Sequence, residues 1–275
     1  MYVKIMKSLL KKYIPSKLLQ IWRSSVLKKK SMDRKVFADG TIYYGLQNED
    51  YERGIMFQLD KLSLVYKKFV NFGANTGYYP VRLAPKFDAI LAVEALTENY
   101  EVLLKNIHQN NLSSKVTCLH LAVGDAFRLV EFFGSSTGGS LIKGWNDQDT
   151  LNEIVQLVKG DNLVSSFVCD HSGALFLIDC EAAEYEVLRG LENTIANTNS
   201  SFLVEIPCRE LMPNEEFNPN FLNIFKLMNS YQYSSALVNN DGSLSKLSNE
   251  MVNGFLEDNR YEGMMVLYRR ATEAG

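Results

Sequence analysis

Apolar positions along the chain follow two rhythms. From residue 66 onward, short runs that are apolar throughout alternate with stretches of helical period. The apolar runs are residues 68–72 (KFVNF), 89–93 (AILAV), 116–123 (VTCLHLAV), 175–179 (LFLID) and 202–206 (FLVEI), with 129–133 (LVEFF) as a short extra one. Tyr100, Leu103, Leu104 and Ile107 share one helical face behind Thr97, a residue suited to capping. Val187, Leu188, Leu191 and Ile195 line a second helix. Phe221, Ile224, Phe225 and Met228 line a third, after Pro219. Two more strands read at 231–238 and 264–269. Apolar strands separated by helices predict a parallel sheet covered on both faces. The expected fold is therefore α/β, a doubly wound, mostly parallel seven-stranded sheet of Rossmann-like plan over residues 61–272.

Residues 1–60 read differently, as a basic N-terminal helical arm and a lead-in. Met6, Leu9, Leu10 and Tyr13 recur at helical spacing, with Lys4, Lys7 and Lys11 opposite. Pro15 interrupts, and Leu18, Leu19, Ile21 and Trp22 follow. Residues 1–35 hold eleven basic side chains and only Asp33 as an acid, a net charge of +10 against −13 in the other 240 residues. Such an arm suits a helix packed on its own domain, one lying on an anionic membrane surface through residues 1–30, or an arm laid on nucleic acid. The acidic remainder excludes nucleic acid as a partner of the core. The four cysteines form no CxxC pair and no run is long and apolar enough to span a bilayer. The expected location is the cytoplasm, with peripheral membrane contact as the arm's alternative use.

The densest chemistry lies where the first strand ends, at residues 71–77 (NFGANTG). Glycine there lets backbone approach a ligand, and the helix beyond offers N–H donors. The spacing is GxxxG, so it does not match the GxGxxG of dinucleotide sites. Glu94 follows 21 residues after Gly73, at the tip of the second strand, where a carboxylate can take both hydroxyls of a ribose. A compact glycine loop with a ribose-binding acid favours S-adenosylmethionine over a nicotinamide dinucleotide. His108, His120 and His171 show no metal spacing, and no GxSxG elbow supports a hydrolase.

Five blocks in order resemble the FkbM-type methyltransferases: FVNFGANTGYY, LAVEAL with KNIHQNN, HLAVGD, LIDCEAAEYEVLRG and FLVEI. The resemblance implies a class I methyltransferase fold that uses S-adenosylmethionine to methylate a hydroxyl. It places Asn71, Gly73, Ala74, Asn75, Gly77 and Tyr78 around the methionine part of the cofactor. Glu94 and Ala95 would hold the ribose, and Ala122 and Val123, with Asp125 nearby, would border the adenine. It also implies sugars, glycans or natural-product hydroxyls as acceptors. The sequence departs from the family pattern in three places. Asn71 stands where an acid is usual, Leu177 where a base is usual, and Ala182 where glycine is usual. These departures motivate the alternative of an inactive, cofactor-binding relative serving as an interaction module.

A hydroxyl needs a base before it attacks a sulfonium methyl. Asp179 and Glu181, beyond the fourth strand, and Glu205, on the fifth, converge on one sheet edge. Asp179 is expected as the base, with Glu181 and Glu205 supporting it. A divalent cation held by these oxygens is the other use of the same set. Glu184 is expected to face solvent or cap its helix, and Ser140 to be a solvated loop serine.

Overall fold

The computed structural model describes residues 34–134, 139–147, 150–168, 171–207, 211–257 and 263–270. The helices expected within residues 1–33, and their membrane contact, lie outside the described residues, as do Cys169 and Cys208. Among the described residues no helix is long and apolar enough to cross a membrane.

The elements follow in chain order. A hairpin of β1 (Arg34–Val36) and β2 (Ile42–Tyr44) precedes α1 (Arg53–Leu62), β3 (Lys68–Phe72), α2 (Tyr78–Leu83), β4 (Ala89–Glu94) and α3 (Thr97–Gln109). Next come β5 (Val116–His120), β6 (Ala122–Gly124), β7 (Arg128–Phe133), β8 (Leu151–Lys159) and α4 (Gly160–Val164). The chain continues through β9 (Leu175–Ile178), α5 (Glu184–Gly190), α6 (Glu192–Asn197), β10 (Ser201–Ile206) and α7 (Phe221–Ser230). It closes with β11 (Tyr233–Val238), β12 (Leu244–Lys246), α8 (Asn249–Glu257) and β13 (Met264–Arg270).

The central sheet runs β12-β11-β13-β10-β9-β3-β4-β5. Strands β5, β4, β3, β9 and β10 pair in parallel, and β13 enters antiparallel between β10 and β11. All seven expected strands are in it; β12 is an eighth, too short and polar to stand out. Each sheet face carries its own core, because the strands are buried on both sides. Val70, Phe72, Phe176, Val204 and Val266 pack under α5 to α8. Phe69, Ile90, Leu177, Leu203 and Leu267 pack under α1 to α3.

Three expectations are corrected. The run 116–123 is two strands: β5 edges the main sheet, and β6 leaves it to pair with β8. β7 pairs antiparallel with β8, making a small second sheet, β6-β8-β7. Residues 151–159 alternate too irregularly to announce β8. The helix of 187–195 is two helices meeting at Leu191. Thr97 does not cap α3 with its side chain; it is the first helical residue. The carboxylate of Glu153, on β8, accepts both its N–H (2.7 Å) and its hydroxyl (2.5 Å).

The lead-in is clamped to the core. Asn106 accepts from Tyr44 N–H (2.7 Å) and donates to Tyr44 O (2.8 Å) and Thr76 O (2.6 Å). Asn110 makes the matching pair with Ile42. The fully buried Tyr43 hydrogen-bonds Thr76 Oγ1 at 2.6 Å. Asn106 on α3 therefore braces the loop after β3, and with Asn110, just beyond the helix, it holds the β1–β2 hairpin that the apolar pattern left invisible.

Candidate active site

The turn from β3 to α2 closes on itself. Gly73 and Ala74 N–H donate to Val93 O, Asn75 N–H to Glu94 Oε2 (2.8 Å), Thr76 N–H to Asn75 Oδ1 and Gly77 N–H to Ala74 O. All five amides are used internally, so this stretch does not offer free N–H groups to a ligand. Its glycines answer to the protein as well. A Cβ on Gly73 (φ +76°) would sit 1.7 Å from Asp179 O, and one on Gly77 (φ +85°) 2.5 Å from Leu103 Cδ1.

A cleft opens at the carboxyl ends of β3, β4 and β9, where open α/β sheets bind ligands. Gly73, Asn75, Glu94, Ala95, Ala122 and Val123 line it, together with Asp179 and Glu181. Ala74, Gly77 and Tyr78 do not. The Tyr78 ring is buried among Phe37, Tyr43, Tyr51 and Tyr79. Asp125 also lies elsewhere, paired with Arg128 (3.5 Å) and Arg189 (3.6 Å). The sequence missed Leu121, Phe132 and Leu141, which form an apolar wall with β6. They became legible only once β6, β7 and β8 made a second sheet. It also missed Asn99, whose side chain hydrogen-bonds Glu94. An asparagine on the buried side of an otherwise apolar helix face was its available signal.

Glu94 is the best-held acid. Its Oε1 accepts Leu96 N–H at 2.9 Å, its Oε2 accepts Asn75 N–H, and the Asn99 side chain bonds the same carboxylate. Burial raises its carboxyl above the ordinary range, against these hydrogen bonds. Asp179 and Glu205 lie side by side on adjacent parallel strands and are hydrogen-bonded to each other. Burial first, then Glu205 and Glu181, push Asp179 far up. Burial also raises Glu205, while the bond from Asp179 opposes that rise. Asp179 and Glu205 thus form one buried pair in which both carboxyls are raised, burial being the main cause.

Glu181 is raised by burial and by Glu205, and is held down by the Trp145 indole. The indole N–H is buried, faces this carboxylate, and closes no ideal hydrogen bond. Among the described residues no group of three His, Cys, Asp or Glu is arranged to hold a metal ion, so these acids lack the cation-binding geometry considered for them. Cys180, partly buried in the cleft, has its thiol pushed well up by burial and neighbouring acids, which makes it unreactive. Glu184 is buried rather than solvated; its Oε1 accepts Cys180 N–H (3.1 Å) and Ala182 N–H (3.0 Å). Ser140 is buried too, donating to Glu181 O at 2.7 Å.

The three departures are now located. Asn71 and Leu177 are direct cross-strand neighbours in the β3–β9 register. An acid and a base are lost from adjacent buried positions, so the pair stays neutral. Asn71 does not line the cleft, and neither polar atom of its amide has a partner among the described residues. Ala182 stands at φ +78°, a left-handed conformation that suits glycine.

The parallel sheet, the reversed β13 and a ligand cleft at the strand tips define a class I, Rossmann-like methyltransferase fold. The methyltransferase FkbM domain matches residues 71–235, 165 of the 275, and the chain belongs to that family. No curated protein shows significant similarity. Among solved structures, the chain is similar to methyltransferase FkbM from Methylobacillus flagellatus KT, at 13% identity and TM-score 0.47. That match covers 74% of this chain but 43% of the other, so the chain spans less than half of that protein's length. It is also similar to the methyltransferase domain of bacterial CtHen1 (9% identity, 82% and 100% covered, TM-score 0.47). A precorrin-6y C5,15-methyltransferase from Geobacter metallireducens GS-15 matches at 6% identity, with 80% and 87% covered and TM-score 0.43.

Proposed function

We propose that this methyltransferase uses S-adenosylmethionine to methylate a hydroxyl of a sugar, glycan or natural-product small molecule. One observation carries the choice of cofactor. Glu94, Asp179 and Glu181 line the cleft, and no lysine, arginine or histidine among the described residues does. Burial raises all three, and no cation among the described residues lining the cleft offsets it, so a cationic ligand would stabilise their charged forms. A pyrophosphate would be repelled there; a ligand bearing sulfonium and ammonium charges would be held.

The residues fit that cofactor. The Glu94 carboxylate, fixed at the strand tip, suits a ribose diol. Leu121, Ala122, Val123, Phe132 and Leu141 suit the flat apolar base. Gly73, Asn75 and Asp179 face the remaining, cationic end. When bound, S-adenosylmethionine supplies an electrophilic methyl to an oxygen placed in line, and the electron pair of the broken C–S bond stays on sulfur. The buried Asp179–Glu205 pair, Asp179 lining the cleft, takes the hydroxyl proton. Positioning and proton removal are together the protein's contribution.

A second reading, a cofactor-binding relative without turnover, draws on the strained Ala182 beside Glu181. Incubation with methyl-labelled S-adenosylmethionine and hydroxylated acceptors separates the two. We expect label in an ether stable to acid and base. Label on nitrogen or carbon, or no transfer despite binding, contradicts the proposal.

A further inference from the structure

A second cavity adjoins the cleft on the side of β10, β11 and β13. Its wall is shared. Asp179 faces the cleft, Glu205 faces the second cavity, and the two side chains are hydrogen-bonded to each other. The far side is formed by the segment entering α1, with Asp50, Glu52, Arg53 and Gly54, and by the turn after β11. The cavity's charges do not cancel. Arg53 is bound by Asp50, Nη2 to Oδ1 at 2.5 Å, so among the described residues lining the cavity Glu52 and Glu205 have no cation of their own. The turn adds acceptors. A Cβ on Gly54 would lie 2.3 Å from Asn239 O and 2.9 Å from Asn240 O, so carbonyl backbone closes on this point, Asn239 O also accepting Gly242 N–H at 2.8 Å. The cavity is rich in hydrogen-bond acceptors and carries negative charge. Glu52 itself is held at φ +47° and accepts the Tyr79 hydroxyl, so its carboxylate is fixed rather than free to swing away.

We infer that the methyl acceptor enters through this second cavity, and that Glu52 and Glu205 select hydroxyl compounds without negative charge, favouring those that also bear an ammonium group. The inference rests on the proposed cofactor reading, because it takes the first cleft as the donor's place. The acceptor's hydroxyl then meets the donor across the Asp179–Glu205 wall. Phosphorylated and carboxylated acceptors are rejected by like charge.

The test uses the full chain with S-adenosylhomocysteine present and three probes that differ in charge: glucosamine, glucose and glucuronic acid. Calorimetry or ligand-observed NMR gives their affinities. We expect glucosamine to bind at least tenfold more tightly than glucuronic acid. Glu52→Gln should collapse that gap, and Glu52→Lys should reverse it. Ile55→Trp, which fills the cavity, should abolish binding of all three sugars without changing affinity for S-adenosylhomocysteine. Equal binding of the three probes, no sugar binding at all, or a preference unchanged in both Glu52 variants would overturn the inference. Failure of S-adenosylhomocysteine to bind the unmodified protein would instead overturn the cofactor reading, and its titration reports that separately.

Discussion

Two turns meet at the centre of this molecule, and they are built in opposite ways. The turn after β3 carries the glycine motif and has every amide from Gly73 to Gly77 satisfied within itself or by β4. The turn after β9 holds Glu181 and Ala182 in left-handed conformations, and its acids Asp179, Glu181 and Glu184 are all raised by burial. The first gives its left-handed positions to Gly73, Asn75 and Gly77, residues that tolerate them; the second gives them to Glu181 and Ala182, which do so less readily. Strain and buried charge persist only where surrounding structure enforces them, and they cluster at working sites. The motif most conspicuous in sequence is thus bonded within itself, while the raised buried acids concentrate one strand over.

The contrast can be broken at several points. The largest effect is expected for Gly73→Ala, which drives a methyl into the Asp179 carbonyl that links the two turns. Chemical denaturation should show a loss of about 4 kcal/mol or more, in the range reserved for enforced clashes. Leu177→Lys comes next, at about 3–5 kcal/mol for an unpaired buried charge. Asn71→Asp in the same chain should restore about 1–3 kcal/mol as a coupling energy in a double-mutant cycle. Simple additivity would separate the two departures again.

A third expected effect is pH-dependent. Burial and neighbouring Glu205 raise Glu184 from 4.5 to about 8 in the folded chain. The native state therefore holds a proton that the unfolded state has released between these values, and stability falls as pH rises through that window. Glu184→Gln should flatten the fall in melting temperature across it; an unchanged slope would place the charge elsewhere. The smallest effect is expected for Ala182→Gly, which relieves a left-handed alanine and should stabilise by about 1 kcal/mol, read as a raised melting temperature.

The sequence displayed the sheet because its strands are apolar on both sides, a pattern that survives without tertiary context. It hid β8, whose exposed Leu151 and Ile154 break the alternation. It hid the β1–β2 hairpin, whose edges are completed by Asn106 and Asn110 from 62 and 68 residues away. Glu94 was legible because a strand tip fixes one side chain. The deep burial of Asp179 and Glu205 was not, since it depends on what packs around the sheet edge. Glu184 and Ser140 were misjudged for the same reason. Polar residues in a glycine-rich or helix-starting context usually face water, and only the fold of the β9 turn takes these inside.

The central claim is that the acidic cleft around Glu94 grips an adenosyl sulfonium or its thioether product. Calorimetric titration of S-adenosylhomocysteine into the unmodified protein and into Glu94→Gln tests it directly. We expect saturable binding that weakens about tenfold or more in the variant, the cost of losing a charged hydrogen-bond acceptor. Equal affinity in both proteins, or no binding in either while NADH binds, would contradict it.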